Sequence, residues 1–91
     1  MIQQRVRVGN RLGLHARAAA KLVRLASDFD SEIRISRHPE SRQVDSKSIL
    51  GILMLTACQG TDLLVTVEGE DEERAAEAIC RLFEERFGEA E

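Results

Sequence analysis

One short stretch of the sequence combines a nucleophile with groups that bind anions. His15 follows a turn at Gly13 and precedes residues 16–26, which are mostly good helix formers, so His15 is predicted to be the N-cap of a helix. The unpaired N–H groups at a helix N-terminus stabilise a negative group, and Arg17 adds a planar guanidinium suited to phosphate. A neutral imidazole is itself a nucleophile near neutral pH. The stretch therefore predicts a phosphohistidine site; the alternative is an exposed loop histidine beside an ordinary surface arginine.

The whole chain has the composition of an ordinary globular protein. Of its 91 residues, 43% are hydrophobic and 32% charged, and we expect a single domain over residues 1–91. The longest apolar run is too short to cross a bilayer and the N-terminus has no signal core, so we expect a soluble, cytoplasmic protein without membrane insertion. No metal-ligand cluster and no glycine-rich nucleotide loop is visible in the sequence, so we expect no metal and no cofactor.

Charge is distributed unevenly along the chain. Residues 1–67 contain ten Lys or Arg and six Asp or Glu, whereas residues 68–91 contain three and ten. A net charge of −3 and the absence of Trp and Tyr disfavour nucleic-acid binding, while an acidic protein partner would suit the basic part. Cys58 and Cys80 have no neighbours at metal-binding spacing and are expected to be buried, reduced thiols in apolar helical surroundings.

Periodicity predicts four strands and three helices. Alternating apolar residues predict strands over residues 2–8, 32–36, 42–44 and 63–67, with a turn at residues 38–41. Apolar residues at helical spacing predict helices over residues 16–27 and 49–57 and from residue 71 to Phe87. In the first helix Arg17, Lys21 and Arg24 share one face, which would either guide an acidic partner or be an ordinary solvated face.

The second helix is predicted to leave apolar side chains exposed. A short helix buries only part of its circumference against a sheet, so some of Ile49, Leu50, Leu53 and Met54 must face solvent, which is typical of an interaction surface. Gly51 inside this helix would allow another group to approach closely. The alternative is a helix that lies wholly in the core.

The order of elements, βαββαβα, predicts the fold class. It is α+β, an open-faced two-layer β-sandwich in which three helices cover one face of a four-stranded antiparallel sheet. A split βαβ arrangement would leave a gap between the first two strands for the fourth.

Two stretches resemble the signature segments of a known family, with spacing and element order matching over nearly the whole chain. Gly13-Leu14-His15-Ala16-Arg17 and Ser48-Ile49-Leu50-Gly51-Ile52-Leu53-Met54-Leu55 are similar to those of the HPr family, the histidine-containing phosphocarriers of the bacterial phosphoenolpyruvate:sugar phosphotransferase system. The resemblance implies an HPr-like fold and a carrier, not a turnover enzyme. Enzyme I would phosphorylate Nδ1 of His15, which would pass the phosphoryl group to the IIA domain of a sugar permease, and we expect a monomer.

The resemblance also implies functions for other residues. Arg17 matches the family arginine, and the first turn of the helix, at Ala16, Arg17 and Ala18, would bind the phosphate. Ser48 matches the serine that a dedicated kinase, HPr kinase/phosphorylase, modifies in many members; the alternative is a helix-cap serine without regulation, and Ser46 is its unmodified neighbour. The docking face for both partners would consist of Leu14, Ala20, Lys21, Arg24, Ile49, Leu50, Gly51 and Leu53.

The sequence departs from the common family pattern in two places. Most relatives have proline where Ala18 stands, and the turn at Pro39 is longer by about two residues; neither change removes a group that phosphate binding needs. Two alternatives remain open at this point. One is a paralogue of the nitrogen-regulatory branch, with the same His15 chemistry and different partners. The other is a regulatory binding module that docks without phosphoryl transfer.

Overall fold

The strands and helices follow the predicted order. The computed structural model describes residues 1–39 and 42–90, so the predicted turn at residues 38–41 lies partly outside the described residues. The elements are β1 (Ile2–Arg7), α1 (Ala16–Ser27), β2 (Glu32–Arg37), β3 (Gln43–Asp45), α2 (Ile49–Met54), β4 (Asp62–Glu68), α3 (Glu72–Glu84) and a final 3₁₀ turn (Arg86–Gly88).

The four strands form one antiparallel sheet in the order β1-β4-β2-β3. On β4, Val65 lies opposite Gln4 of β1 on one side and Ile35 of β2 on the other. The last strand therefore fills the gap between the first two, as the split βαβ arrangement predicts, and the α+β open-faced fold is confirmed.

The core lies between the sheet and the helices. Successive side chains of a strand point to opposite faces, so alternate residues of β2 and β4 face the helices. These residues, Ile33, Ile35, Leu63, Val65 and Val67, are fully buried. Small residues on α1 let this helix approach the sheet closely, and they are buried together with one leucine: Ala18, Ala19, Leu22 and Ala26. The packing fixes the N-terminus of α1 relative to α2 and α3, which both contact α1.

The second helix is shorter than its apolar run suggests. The expected helix over residues 49–57 ends at Met54, and Thr56 has a left-handed φ of 48° that an α-helix cannot accommodate. Leu55 and Ala57 are nevertheless buried, because the loop that follows α2 packs into the core. The expectation that Cys58 is a buried thiol in helical surroundings is wrong, since it lies exposed in this loop.

The third helix also ends earlier than its apolar pattern. Arg86 and Phe87 have φ values of 55° and 58°, so the chain turns sharply after Glu84 instead of continuing the helix. Phe87 still reaches the core, through the 3₁₀ turn, and its ring packs edge-on against Phe83 with centroids 5.0 Å apart. The second cysteine, Cys80, is half-buried on α3, and burial raises the pKa of its thiol.

None of the helices within residues 1–39 and 42–90 has the length and apolarity needed to cross a membrane.

Candidate functional site

His15 is the N-cap of α1, as predicted. Its backbone is extended, with φ −75° and ψ 179°, and its Nδ1 accepts a hydrogen bond from the N–H of Arg17 at 3.3 Å. The first helical hydrogen bond runs from the N–H of Ala19 to the carbonyl of His15 at 2.8 Å. Within the described residues nothing accepts from the N–H groups of Ala16 and Ala18. The proposed nucleophile therefore lies where unpaired donors and the positive end of the helix dipole meet.

A close contact between two loops holds this helix end in place. Leu14 donates its N–H to the carbonyl of Ala57 at 2.9 Å. Gly13 has a φ of 68°, and a Cβ at this position would lie only 2.5 Å from that carbonyl oxygen and 2.8 Å from the Cα of Cys58. Only glycine fits both the left-handed conformation and the contact, so the loop before α1 is fixed against the loop after α2.

The imidazole of His15 opens onto a shallow cleft of about 740 Å³. Cationic groups, apolar groups and one carboxylate from the loop, α1 and the C-terminal segment line it: Arg11, Leu12, His15, Arg17, Lys21, Gly88, Glu89 and Ala90. Arg17 is exposed, and within residues 1–39 and 42–90 no side chain pairs with its guanidinium. The cleft therefore offers a fork of donors to an anion beside His15.

The polar contacts that hold the far side of the His15 ring were not identified from the sequence. His15 Nε2 lies 2.7 Å from Oε2 of Glu89, and Oε1 of Glu89 accepts from Nδ2 of Asn10 at 3.1 Å. The hydrogen bond from His15 lowers the pKa of Glu89, and the bond from Asn10 and the charge of Lys21 add to this effect, while burial opposes it. Glu89 is therefore an ionised carboxylate, and only the fold brings it from the acidic tail to the site.

The expected exposure of apolar side chains on α2 is confirmed, and the alternative of a helix wholly in the core is wrong. Ile49, Leu50, Leu53 and Met54 are 45%, 67%, 37% and 58% exposed, and we call these four residues the α2 patch. This patch belongs to a helix that contacts α1. Leu12, 67% exposed on the His15 cleft, adds an apolar group that the sequence did not single out.

The other expected docking residues differ in their accessibility. Arg24 is exposed and Ala20 half-buried, whereas Leu14 is only 6% exposed and lies beneath the surface. Lys21 is half-buried and donates to the carbonyl of Phe87 at 2.6 Å, so it ties α1 to the C-terminal segment. Gly51 faces β3, where a Cβ would come within 3.3 Å of the Asp45 carbonyl oxygen, so the close approach that it allows is internal.

Ser48 and Ser46 differ in both contact and burial. Ser48 is half-buried and caps α2, with Oγ accepting from the N–H of Gly51 at 3.2 Å. Ser46 is fully buried, and its Oγ donates to the carbonyl of Ile33 at 3.0 Å. Of the two hydroxyls, only that of Ser48 lies next to the α2 patch with solvent access.

Within the described part of the chain, no three His, Cys, Asp or Glu side chains form a group that could hold a metal ion.

Comparison with known proteins assigns the family. A family model described as the phosphorylation site of the PTS HPr component matches residues 2–85. The chain belongs to the HPr family. The phosphocarrier protein HPr of Cupriavidus necator is 46% identical over 91 residues, which is all of both chains, and that of Xylella fastidiosa is 47% identical over 89 residues, 98% of each. A crystal structure of HPr from Thermoanaerobacter tengcongensis has a TM-score of 0.93 and 40% identity, with both chains fully covered.

Membership in the HPr family decides the class of function. The chain is a phosphocarrier protein of the phosphotransferase system and not an enzyme, in agreement with the names of its relatives. The family match covers His15 and α1 as well as α2, the two regions that carried the resemblance in the sequence.

Proposed function

We propose that His15 accepts a phosphoryl group from phosphorylated enzyme I on Nδ1 and passes it to the IIA domain of a sugar permease. The observation that carries this proposal is the position of Nδ1 at the N-terminus of α1, where it accepts from the N–H of Arg17 at 3.3 Å. A phosphoryl group on Nδ1 would meet the N–H groups of Ala16, Arg17 and Ala18, which is the usual way in which a helix N-terminus binds phosphate.

The chemistry needs only a lone pair and an anion site. The lone pair of Nδ1 attacks phosphorus, the Nδ1–P bond forms, and the bond between phosphorus and the donor breaks with its electron pair returning to the donor. Phosphoryl transfer of this kind depends mostly on positioning and on stabilising the charge of the equatorial oxygens. Arg17, on the wall of the cleft, supplies a positive charge that stabilises these oxygens.

One apolar surface would serve both donor and acceptor. The α2 patch offers apolar area next to α1, and Arg24 adds a cationic group to the neighbouring helix face. An apolar patch with basic groups beside it suits brief encounters with acidic partners, because charge raises the association rate while the small area keeps affinity modest. The chain would act as one phosphocarrier domain and as a monomer in the cytoplasm.

Phosphorylation of Ser48 would regulate this docking. Ser48 directly precedes Ile49 of the α2 patch, so a phosphate there would place negative charge beside the surface that binds enzyme I. A kinase of the HPr kinase/phosphorylase type would be the modifying enzyme. In a phosphosite map with that kinase, Ser48→Ala should lose the modification, while modification of the buried Ser46 would contradict the proposal.

Intact mass after incubation with phosphoenolpyruvate, Mg²⁺ and enzyme I from the same organism tests the carrier function. We expect one acid-labile phosphoryl group, absent in His15→Ala and present in His38→Ala, the matched control at the other, exposed histidine. Absence of uptake, with enzyme I active on another carrier, would overturn the proposal in favour of the nitrogen-regulatory branch or a binding module. His15→Ala should remain folded, because losing a cap costs only about 1 kcal/mol.

A further inference from the structure

The C-terminal segment folds back onto the start of α1. The left-handed residues Arg86 and Phe87 turn the chain after α3, and the buried ring of Phe87 anchors the turn in the core. Lys21 fixes the same turn from α1 through its hydrogen bond to the carbonyl of Phe87 at 2.6 Å. Glu89, two residues further on, is thereby placed against His15.

Glu89 is held from two sides. Its Oε2 lies 2.7 Å from His15 Nε2, and its Oε1 accepts from Asn10 Nδ2 at 3.1 Å. Asn10 is fully buried, and the same Nδ2 donates to the carbonyl of Gly13 at 2.8 Å. The orientation of the carboxylate is therefore set by the loop that leads into the helix cap, and not by the tail alone.

Two independent contacts assign the tautomer of His15. An ionised carboxylate can only accept hydrogen bonds, so Nε2 carries the proton in its contact with Glu89. On the other side of the ring, Nδ1 accepts from the N–H of Arg17 and therefore carries none. Both contacts leave the lone pair on Nδ1, the atom that faces the unpaired N–H groups of α1.

We propose that Glu89, oriented by Asn10, is a positioning residue that keeps the proton of His15 on Nε2 throughout the phosphoryl cycle. The inference rests on the proposed phosphoryl transfer at His15. It assigns a function in that transfer to the C-terminal segment, beyond the end of the matched family region at residue 85.

The proton on Nε2 matters in both directions of the transfer. When Nδ1 attacks phosphorus the ring becomes cationic, and the carboxylate of Glu89 stabilises that charge across the 2.7 Å contact. When the phosphoryl group leaves, the Nδ1–P electron pair returns to the ring, and the leaving group is a neutral imidazole because Nε2 has kept its proton. No proton is transferred in either direction, so the step balances without a further acid or base.

The test compares three variants. Glu89→Gln keeps an acceptor for Nε2–H but removes the charge, Glu89→Ala removes both, and Glu85→Gln removes the same charge from an exposed position near the same end of the chain. The readouts are ¹⁵N–¹H spectra of the His15 ring in the unphosphorylated protein and the kinetics of phosphorylation by enzyme I. Thermal denaturation establishes that each variant is folded.

We expect a slowly exchanging Nε2–H resonance in the wild-type protein, in Glu89→Gln and in Glu85→Gln, and its loss to solvent exchange in Glu89→Ala. The kcat for phosphorylation should fall in both Glu89 variants at unchanged KM, about tenfold in Glu89→Ala and less in Glu89→Gln, which loses only the charge, and should stay at the wild-type value in Glu85→Gln. A wild-type kcat in the Glu89 variants, or a protected Nε2–H in Glu89→Ala, would overturn the inference. Failure of the wild-type protein itself to accept phosphate would instead overturn the proposed function, while the spectra would still report the tautomer.

Discussion

At the start of α1, one side chain serves as both helix cap and proposed nucleophile. Histidine is not a preferred N-cap, and its Nδ1 accepts from the N–H of Arg17 at a long 3.3 Å. A phosphoryl oxygen is a stronger acceptor than a neutral ring nitrogen, so phosphorylation would replace this weak bond by stronger ones to the same helix end. The weak cap is therefore consistent with a helix N-terminus whose N–H groups are better paired by a phosphoryl group than by the unphosphorylated imidazole.

The guanidinium of Arg17 should contribute to transfer and little to folding. It is exposed on the wall of the cleft, so we expect Arg17→Ala to lower the rate of phosphorylation by about 10²-fold with a nearly unchanged Tm. The rate of phosphorylation in Arg17→Lys should lie between those of Arg17→Ala and the wild-type protein, because a lysine keeps the charge but not the planar fork. Rapid-quench kinetics with phosphorylated enzyme I measure the rate.

Arg81→Ala on α3 is the matched control for that experiment. Arg81 is also exposed, and its charge is paired with Glu77 at 3.2 Å, away from the cleft. Equal rates in Arg17→Ala and Arg81→Ala would show that Arg17 has no special function in the transfer.

At the residue scale, the sequence predicted the site only where its members are neighbours in the chain. His15 and Arg17 lie two positions apart, and the pattern of a turn followed by helix formers was enough to predict the cap. Glu89 reaches His15 from 74 positions away, because two left-handed residues turn the chain after α3. No local pattern distinguishes Glu89 from the solvated acids around it, so this contact could not be predicted.

Among the elements, the loop before α1 depends on its glycine. Gly13→Ala should cost about 2–4 kcal/mol of unfolding free energy, since it adds left-handed strain and a Cβ that would meet Ala57 O at 2.5 Å. It should also slow phosphorylation, because the displaced loop carries His15. Chemical denaturation and transfer kinetics measure the two effects.

Gly60→Ala is the control that separates the cost of left-handed backbone strain from the cost of the steric contact with Ala57. Gly60 has a comparable φ of 89°, but a Cβ there would meet nothing within 4 Å, so the cost should be only about 1 kcal/mol. If both variants lost the same stability, the contact between the two loops would contribute nothing.

The α2 patch should matter for binding and not for stability. Leu50 is 67% exposed, so Leu50→Ser should leave Tm within about 2 °C of the wild-type value while raising the Kd for enzyme I about tenfold. Leu64→Ser makes the same chemical change on the open face of the sheet and should leave that Kd unchanged. Calorimetric titration distinguishes the two, and an unchanged Kd in Leu50→Ser would argue against docking on this helix.

At the element scale, the sequence predicted which helices and strands exist, but it did not predict where the helices end. Ser48 and the apolar run after it predicted α2, but the run continues through Leu55 and Ala57, which are buried whether helical or not. The helix stops because Thr56 adopts a left-handed conformation, a tertiary effect that hydrophobicity does not encode. The same limit explains why Cys58 was expected in a helix and lies in an exposed loop.

At the scale of the whole molecule, sheet order was predictable because few topologies suit this order of elements. Four strands and three amphipathic helices leave the split βαβ arrangement as the simple solution, and β4 occupies the predicted central place. The sequence did not reveal which polar contacts join the layers outside the core. One such contact involves Asp71, whose carboxylate at the start of α3 accepts from the N–H of Asp30 at 2.8 Å and from that of Ser31 at 2.9 Å.

The hydrogen bonds of Asp71 should make the stability of the fold depend on pH. The hydrogen bond from the Ser31 hydroxyl, followed by that from the Asp30 N–H, lowers the pKa of Asp71 from the usual 3.8. A carboxyl whose pKa is lower in the folded state stabilises the fold above its unfolded pKa, and this stabilisation disappears as the pH falls through the folded pKa. Asp71→Asn should therefore lower Tm at neutral pH by about 5 °C or more, and the difference from the wild-type protein should shrink below about pH 3.

Thermal denaturation of the two proteins across this pH range tests the contact between α3 and the loop before β2. Asp28→Asn, which changes an exposed carboxylate at the end of α1, should keep Tm close to the wild-type value at neutral pH. A Tm deficit in Asp71→Asn that stayed the same in acid and at neutral pH would mean that the charge of Asp71 is not what holds the two segments together. A deficit that closes in acid assigns this part of the stability of the fold to one ionised carboxylate, remote in sequence from the segment that it binds.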